Sequence, residues 1–501
     1  MTHGGTGCWA CAALRLGTAR GGSGTARQDT AGAAADLWSA LALAGRPGVT
    51  GPVPGRPLAA MIGNLLGYEV FRAASGALPA ETAGRLIVQD MESLDVTAEP
   101  LFPHPRCPFC ADAGTDPAPV DLTAAGTSGT PALPTLETAR EADALVEELN
   151  RRSVLVRPYA GVFTRFADEP LTQIPLKLGV VELGTGHTRA RSVVAFDVHH
   201  VAGARMRALD AAALVYAEHV VPARALVTDT ADAHGAVERV AAAALTTASG
   251  LPGEAGVHQQ AVSLLTKEPV LVPAGAVRPF GPHNADGLFE RTRAGAGAGP
   301  APADAAAAGL LSALAHDALV RAVRGRAAAR VPLPGPADAG AGGSADPELL
   351  FLVRSADRLE VPVELLDLGE AEHSGVHVLL ARSAERWAVG SDPDRRTAAV
   401  TALRELLGAV QYGQDEASGT PADTGDPLLR DLDARALTVS GAGEPPVAGP
   451  AVGWAEVQGR LAAAGREAYV VPTGSPDLAS AGLHTVRVLL TAAVREPGDD
   501  A

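Results

Sequence analysis

Cys8–Cys11 (CWAC) and Cys107–Cys110 (CPFC) are the two stretches that decide how the N-terminal part of this sequence folds. They contain all four cysteines of the chain, arranged in two C-x-x-C pairs. Each pair can wrap a turn of backbone around a metal ion, and four thiolates complete the tetrahedral coordination that Zn²⁺ prefers. Because four thiolates leave no position for water, the spacing predicts a structural zinc site that cross-links distant segments. The alternative interpretation is that one pair is a redox-active C-x-x-C or a chance occurrence of the motif.

The segment between the two cysteine pairs has the pattern of a small α+β unit. Pro57–Gly76 (PLAAMIGNLLGYEVFRAASG) carries apolar residues at helical spacing and ends on glycine, as many helices do. Arg85–Val96 has the composition of extended chain. A Pro/Gly/Ala-rich stretch, Ala113–Pro134, follows and marks a domain boundary. We therefore expect a zinc-tetrad domain at residues 1–112 and a linker at 113–134.

Beyond the linker, helical and strand patterns alternate, so we expect one large mixed α/β domain at residues 135–495, followed by a tail at 496–501. The predicted helices are Leu136–Arg152, Met206–Val221, Ala305–Val323, Arg395–Val410 and Gly453–Ala464. The predicted strands are Ser192–Val198, Val361–Leu368, His377–Arg382, Glu467–Val471 and His484–Leu490. The run Ala294–Gly299 lacks the Lys-Ser/Thr of a phosphate-binding loop, so we expect a flexible turn there.

Charge and hydropathy exclude several classes of function. The formal net charge of −16 at pH 7 argues against a nucleic-acid partner, because phosphate binding needs clustered Lys and Arg. No apolar run approaches the ~18 residues of a membrane helix, and no signal-peptide core precedes Gly22. We therefore expect a cytoplasmic protein with no membrane partner.

The order of these features resembles the YcaO-type cyclodehydratases that form thiazoles and oxazoles in linear azole peptide and thiopeptide pathways. In that family a cysteine tetrad closes a domain similar to ubiquitin-activating enzymes, and a YcaO domain follows. Gly7–Arg15 and His104–Cys110 look like its two zinc knuckles. Segments that look like YcaO landmarks follow in the same order: Val262–Pro273, Gly309–Ala318, Ser391–Asp394, Ala399–Glu405, Ala463–Thr473 and Gly482–Val488. The resemblance covers almost the whole chain.

The resemblance implies a reaction that uses ATP and Mg²⁺. A Cys, Ser or Thr side chain of a ribosomal precursor peptide attacks the preceding backbone carbonyl, and phosphorylation of the resulting oxyanion lets the oxygen leave. The product is a thiazoline or an oxazoline. The cofactors that the resemblance implies are therefore ATP and Mg²⁺, beside the structural zinc.

The resemblance also implies that three helices carry the ATP and Mg²⁺ ligands, and here the sequence departs from the family pattern. Three acids keep the expected residue type, and we predict them as ATP/Mg²⁺ ligands: Glu218, Asp317 and Glu405. The other family positions hold different residues: Ala211, Val215, His219, Ser312, Ala315, His316, Thr401 and Gly408. No catalytic residue is predicted. Each acid also has a simpler interpretation as a solvated residue on a helix surface.

His199 and His200 follow a strand where the family approaches phosphate. Neighbouring strand residues face opposite sides, so a hydrogen-bonding role is the better interpretation for each histidine. The zinc knuckle begins at Cys8, which leaves no room for the family's peptide-binding clamp, and the C-terminus Val494–Ala501 has no proline-rich tail. We therefore expect a separate leader-peptide-binding protein, with an azoline dehydrogenase as a further candidate partner and a homo-oligomeric assembly.

Two other functions remain open from the sequence. The thinned set of acids is also expected of a catalytically degenerate YcaO-like scaffold that organises an azole-peptide synthetase complex. A YcaO-like enzyme of other backbone-amide chemistry is the second alternative. The zinc module favours peptide cyclisation over thioamide formation.

Overall fold

Eleven α-helices and sixteen strands make up the regular structure of the described residues. The computed structural model describes residues 6–19, 54–90, 92–110, 117–126, 136–185, 190–228, 237–335, 346–384, 386–415, 426–447 and 452–493. The helices are α1 (Trp9–Ala19), α2 (Arg56–Ser75), α3 (Leu136–Arg152), α4 (Val201–His219), α5 (Ala274–Val277), α6 (Pro302–Val323), α7 (Pro347–Arg358), α8 (Ala371–Ser374), α9 (Arg395–Gln414), α10 (Trp454–Ala463) and α11 (Pro476–Ser480). The strands are β1 (Arg85–Gln89), β2 (Val96–Pro100), β3 (Arg165–Phe166), β4 (Lys177–Leu183), β5 (Arg191–Asp197), β6 (Leu226–Thr228), β7 (Val257–Ser263), β8 (Pro269–Pro273), β9 (Ala296–Gly299), β10 (Ala328–Val331), β11 (Glu364–Asp367), β12 (His377–Arg382), β13 (Trp387–Asp392), β14 (Val439–Ala442), β15 (Ala468–Pro472) and β16 (His484–Leu490).

The N-terminal unit contains the predicted helix and a hairpin. Helix α2 ends as predicted, because Gly76 adopts a left-handed conformation (φ 63°) and its N–H donates to the Arg72 carbonyl. The stretch Arg85–Val96, predicted as extended, contains β1 and a turn, and its last residue begins β2, which pairs antiparallel with β1. Asp90 makes the turn between them, since its carboxylate accepts the backbone N–H groups of Glu92 and Ser93.

Three sheets form the body of the large domain. An antiparallel three-stranded sheet has the order β3-β4-β5, and a six-stranded sheet has the order β6-β7-β15-β16-β9, with β8 also paired to β7. The five-stranded sheet has the order β13-β12-β11-β10-β14 and is antiparallel except for the β10–β14 pair. Each helix and strand predicted beyond the linker overlaps an observed element, and the expectation of a mixed α/β fold is confirmed.

The prediction of a flexible turn at Ala294–Gly299 is wrong, because β9 occupies most of it and pairs with β16. Its small residues have a packing reason. A Cβ atom on Gly297 would lie 2.1 Å from the carbonyl oxygen of Ala305 and 2.3 Å from the nitrogen of Gly309. The Gly/Ala run therefore lets α6 pack directly onto the sheet.

Helices α6 and α9 pack on opposite faces of strand β13. The hydroxyl of Ser391 donates to the carbonyl of Leu311 in α6. A Cβ atom on the neighbouring Gly390 would lie 2.1 Å from the carbonyl oxygen of Ala398 in α9. Helix α6 is long and apolar enough to cross a membrane, but more than half of its apolar window is buried, as in a core helix.

The N-terminal unit is joined to the large domain by buried polar contacts. Arg15 of α1 donates to the hydroxyl of Tyr216 at 2.9 Å and to the carboxylate of Asp477 at 2.5 Å. Tyr216 also donates to Asp477, and all three side chains are at most 2% exposed. Arg106, next to the second cysteine pair, donates to the carbonyls of His219 and Val220 at the end of α4. The segments around the two cysteine pairs form a cysteine module, which is thus attached directly to helix α4.

Candidate functional site

The four cysteines come together in the folded chain. Their sulfur atoms all lie within 4.8 Å of one another, with 3.8 Å between the sulfurs of Cys8 and Cys11 and 3.5 Å between those of Cys8 and Cys107. A Zn²⁺ ion with four Zn–S bonds of ~2.3 Å has S···S separations of roughly 3.8 Å. Cys11 and Cys107 are fully buried, and Cys8 and Cys110 are partly buried. The cluster therefore fits tetrahedral zinc.

Backbone groups around the cluster support the thiolate form. The N–H of His104 donates to the sulfur of Cys11 at 3.2 Å. Burial and the neighbouring Cys107 raise the pKa of the Cys11 thiol, and the backbone N–H groups oppose this shift. For Cys8, hydrogen bonds from the backbone of Cys11 and from the Cys110 and Cys107 thiols outweigh burial and lower the pKa to about 7. A metal cation is the natural partner of four such thiolates, because binding releases their protons.

A cavity of about 1,110 Å³ lies between α6, α9, the end of β5 and strand β13. The lining has an apolar part, which includes Ala308, Leu311, Leu319, Trp387, Val389 and Leu429. It also has a polar and ionisable part, which includes Asp197, His199, Arg207, Glu348, Asp392, Thr401, Arg404 and Glu405. An apolar cavity wall with a set of convergent charged groups is typical of a small-molecule site.

Strand β5 ends at Asp197, which belongs to the polar part of the cavity lining. Its Oδ1 accepts the backbone N–H groups of His199 and His200 at 2.8 and 2.9 Å, and Arg207 donates to Oδ2 at 3.3 Å. Although burial opposes the charge, Arg207 and these N–H groups hold the pKa of Asp197 below its ordinary value. Asp197 therefore stays ionised and keeps Arg207 at the cavity wall.

Helix α9 contributes a guanidinium and a carboxylate side by side. Arg404 donates from Nε and Nη2 to Oε1 of Glu405, at 3.1 and 2.9 Å. Burial lowers the pKa of Arg404, but an arginine side chain stays charged at neutral pH. Both side chains line the cavity, so this wall can contact an anion and a cation at the same time.

Two further ionisable groups face the cavity. The Nε2 atom of His199 lies 3.1 Å from Oε1 of Glu348, and this carboxylate raises the pKa of His199. Burial raises the pKa of Asp392 to about 6, and only the backbone N–H of Asp394, at 2.8 Å, opposes this shift. Asp392 is thus poised to exchange a proton near neutral pH.

These residues fit Mg-ATP. Arginine binds phosphate oxygens through its planar fork of donors, and Arg207 and Arg404 present such forks to the cavity. Mg²⁺ usually binds one or two carboxylates together with the substrate phosphates, and Glu405 supplies a carboxylate on the same wall. Within the part of the chain that the structure describes, no group of three or more carboxylates is assembled for metal binding.

The structure separates the three predicted ligands. Glu405 lines the cavity, whereas Glu218 and Asp317 do not. Glu218 accepts the backbone N–H of Phe280 at 3.1 Å, close to the charge of Arg278. Asp317 accepts Nη2 of Arg466 at 2.8 Å. A role for the three acids in binding ATP or Mg²⁺ stays a prediction.

Other residues of the family pattern do reach the cavity. Ser312, Ala315, His316 and Thr401 line it, so α6 and α9 present the expected helix faces with changed residue types. The prediction missed Asp392, although it stands inside the quoted Ser391–Asp394 landmark, at the end of β13. Its position there was the only signal in the sequence.

A comparison with protein-family models matches residues 199–492 to the family described as YcaO cyclodehydratase, ATP- and Mg²⁺-binding. No curated protein sequence matches the chain. A solved structure of a heterocyclase in complex with substrate and cofactor superposes with a TM-score of 0.64 at 17% identity, over 99% of this chain and 70% of that one. The heterocyclase TruD superposes with a TM-score of 0.53 at 17% identity, over 98% of this chain and 67% of that one. These superpositions show the shared fold, and the family match covers more than half of the sequence. The chain therefore belongs to the YcaO family of ATP- and Mg²⁺-binding cyclodehydratases.

Proposed function

We propose that this protein catalyses the ATP- and Mg²⁺-dependent cyclodehydration of Cys, Ser or Thr residues in a ribosomally made precursor peptide, forming thiazolines or oxazolines. The observation that carries the proposal is the cavity in the YcaO region, which Arg404, Glu405 and Asp392 all line. The fold shared with a heterocyclase that binds substrate and cofactor supports the same reaction class.

The polar side chains of the cavity lining supply the groups that bind the nucleotide. Arg207 is held by Asp197, and Arg404 is held by Glu405, so both guanidiniums are already oriented for phosphate oxygens. The Glu405 carboxylate is the group assigned to Mg²⁺. Mg-ATP, when bound, supplies the phosphoryl group that makes the amide oxygen a leaving group.

Asp392 is the group assigned to proton transfer. Its Oδ1 accepts the N–H of Asp394, which leaves Oδ2 to take the proton of the attacking thiol or hydroxyl. With a pKa raised by burial to about 6, the carboxyl is mostly ionised at pH 7 yet basic enough to accept a proton. The apolar side chains of the lining limit access of water to the activated amide.

The reaction is tested by following phosphate release and peptide mass together. The purified chain is mixed with ATP, Mg²⁺, a candidate precursor and its leader-binding protein. Loss of water predicts a mass decrease of ~18 Da for each ring, matched by one phosphate. Phosphate release without a mass change, or a mass change without ATP, contradicts the proposal.

One observation favours the second candidate, a scaffold within a synthetase complex. Ser312 and Ala315 face the cavity where the family places carboxylates, so α6 offers no acid to a metal there. A scaffold binds the precursor and its partner but neither hydrolyses ATP nor changes the peptide mass. Isothermal titration with Mg-ATP separates the two functions directly, because only the enzyme needs the nucleotide.

We also propose the setting of the reaction. A separate leader-peptide-binding protein presents the precursor, an azoline dehydrogenase acts on the product, and the chain assembles as a homo-oligomer in the cytoplasm. A reducing compartment suits four cysteines that form no disulfide and can hold a metal. Co-purification with the neighbouring gene products, followed by light scattering, tests this arrangement.

A further inference from the structure

Strand β13 ends the five-stranded sheet beside the cavity. In the described part of the chain it pairs with β12 alone, in antiparallel register from His377↔Asp392 to Arg382↔Trp387. An edge strand carries a row of backbone N–H and C=O groups that have no ladder partner. Such an edge is a template for a further strand.

The cavity runs along this edge and not over one face of the sheet. Successive strand residues point to opposite faces, so a pocket on one face contacts every second residue. Here Trp387, Ala388 and Val389 all line the cavity, and so do Ser391 and Asp392. Residues of both faces reach the same space only if the space lies beside the strand. The unpaired backbone of β13 therefore faces the cavity.

The mouth of the cavity next to the start of β13 is positively charged. Arg386 directly precedes the strand, and Arg430 lines the same cavity. Both residues are exposed, and among the described residues neither guanidinium has an ion-pair partner. These two guanidiniums therefore complement an acidic group.

We propose that the edge of β13 binds an extended segment of the peptide substrate by strand addition, with an acidic peptide residue beside Arg386 and Arg430. The inference rests on the proposed function, because it assumes that the substrate is a peptide. Main-chain hydrogen bonds to β13 supply affinity without demanding a particular side-chain sequence. The charged mouth selects the segment and its direction.

Strand addition also places the peptide for reaction. A segment along β13 lies between α6 and α9, with Ser312 on one side and Glu405 on the other. Its backbone amides then approach the Asp392 end, where the nucleotide ligands stand. The cavity volume of about 1,110 Å³ has room for a nucleotide and a short strand together.

The test uses a probe peptide, so that the fold of the protein is unchanged. The probe is a fluorescein-labelled, amidated nonapeptide of alternating Val and Ser with two Asp at one end, measured by anisotropy with the full chain and no ATP. In an added strand, only alternate residues exchange hydrogen bonds with the template. We expect N-methylation of one alternate set of amides to weaken binding about tenfold or more, and of the other set to change it less than about twofold.

Charge reversal at the mouth provides the second readout. The R386E and R430E variants are expected to weaken binding of the Asp probe about tenfold and to strengthen binding of a matched probe with two Lys. R324E is the control, because Arg324 is an exposed arginine that does not line the cavity. Equal effects of all N-methyl positions, or equal binding of both probes to R386E, overturn the inference.

The outcomes for the surface and for the reaction are distinguishable. Alternating N-methyl sensitivity without precursor-dependent phosphate release keeps the strand-addition site and overturns the proposed reaction. Ring formation in a precursor, with no alternating sensitivity in the probe, keeps the reaction and overturns the strand-addition site.

Discussion

The cysteine cluster and the cavity each bring several side chains together, but they are built in different ways. In the cluster, four residues of one type supply four equivalent ligands from two short motifs. In the cavity, β5, α4, α6, α9 and β13 supply groups of different chemical types. The comparison teaches that a sequence motif identifies a site whose ligands are identical and close in sequence, and does not identify a site whose different groups come from several elements.

The two sites are also connected. Arg15 and Arg106 of the cysteine module hold the hydroxyl of Tyr216 and the last carbonyls of α4, which carries Glu218 near its end. Loss of the metal is therefore expected to loosen α4. The following changes separate the two sites or test the connection between them.

Replacing a buried cysteine has the largest expected effect. C107S removes one of four thiolates, and structural Zn²⁺ contributes roughly 10–16 kcal/mol to small zinc domains. We expect loss of bound zinc by elemental analysis and loss of the N-terminal unit's protection in hydrogen exchange. The A10S variant, in the first knuckle, is the control and keeps its metal. Full zinc occupancy in C107S contradicts the four-thiolate site.

Breaking the buried junction comes next. D477A leaves Arg15 charged and fully buried, which is expected to cost about 3–5 kcal/mol of unfolding free energy. Urea unfolding measures the loss. The paired R15M/D477L variant removes both charges and is expected to recover most of it. An unchanged urea midpoint in D477A shows that the junction contributes nothing to stability.

Variants of Glu405 and Asp317 test whether the nucleotide binds in the cavity or beside the acid outside it. E405Q removes the carboxylate assigned to Mg²⁺ and is expected to reduce ATP hydrolysis about a hundredfold. D317N is the matched comparison, because Asp317 pairs with Arg466 outside the cavity lining. If the cavity is the nucleotide site, D317N leaves nucleotide binding unchanged, whereas the sequence-based prediction of Asp317 as a ligand expects a loss. Equal losses in both variants contradict the assignment of the cavity as the nucleotide site.

Asp392 is expected to give the smallest effect on stability. Its folded pKa of about 6 exceeds the ordinary value of 3.8, so the native state holds the proton more tightly than the unfolded state. The protein therefore loses stability as pH rises through this window. D392N is expected to be about 1 kcal/mol more stable at pH 7 and equal at pH 3.5, by urea unfolding at both values. The rise of turnover with pH near 6 is also expected to disappear in D392N. A stability difference that is the same at both pH values contradicts the raised pKa.

The sequence predicted the elements better than the site. Helices such as Leu136–Arg152 follow from helical spacing, and strands such as His377–Arg382 follow from short runs of strand-favouring residues. The strand at Ala296–Gly299 was missed, because its glycines are required by the close approach of α6. No local sequence pattern shows that approach. Asp317 illustrates the same limit at the site. It stands one residue after His316, about 100° further round the helix, so His316 lines the cavity while Asp317 meets Arg466.

By itself, the sequence determined the zinc-type cysteine tetrad, the alternation of helices and strands, and the resemblance to YcaO cyclodehydratases. Repeated ligands and periodic apolar residues are local signals, so a single chain carries them. Only the tertiary structure decided which acids share the cavity, that Asp392 is partly buried in its lining, and that β13 is the edge strand beside it. Those properties depend on the rotation of helices and the order of strands, and long-range packing sets both.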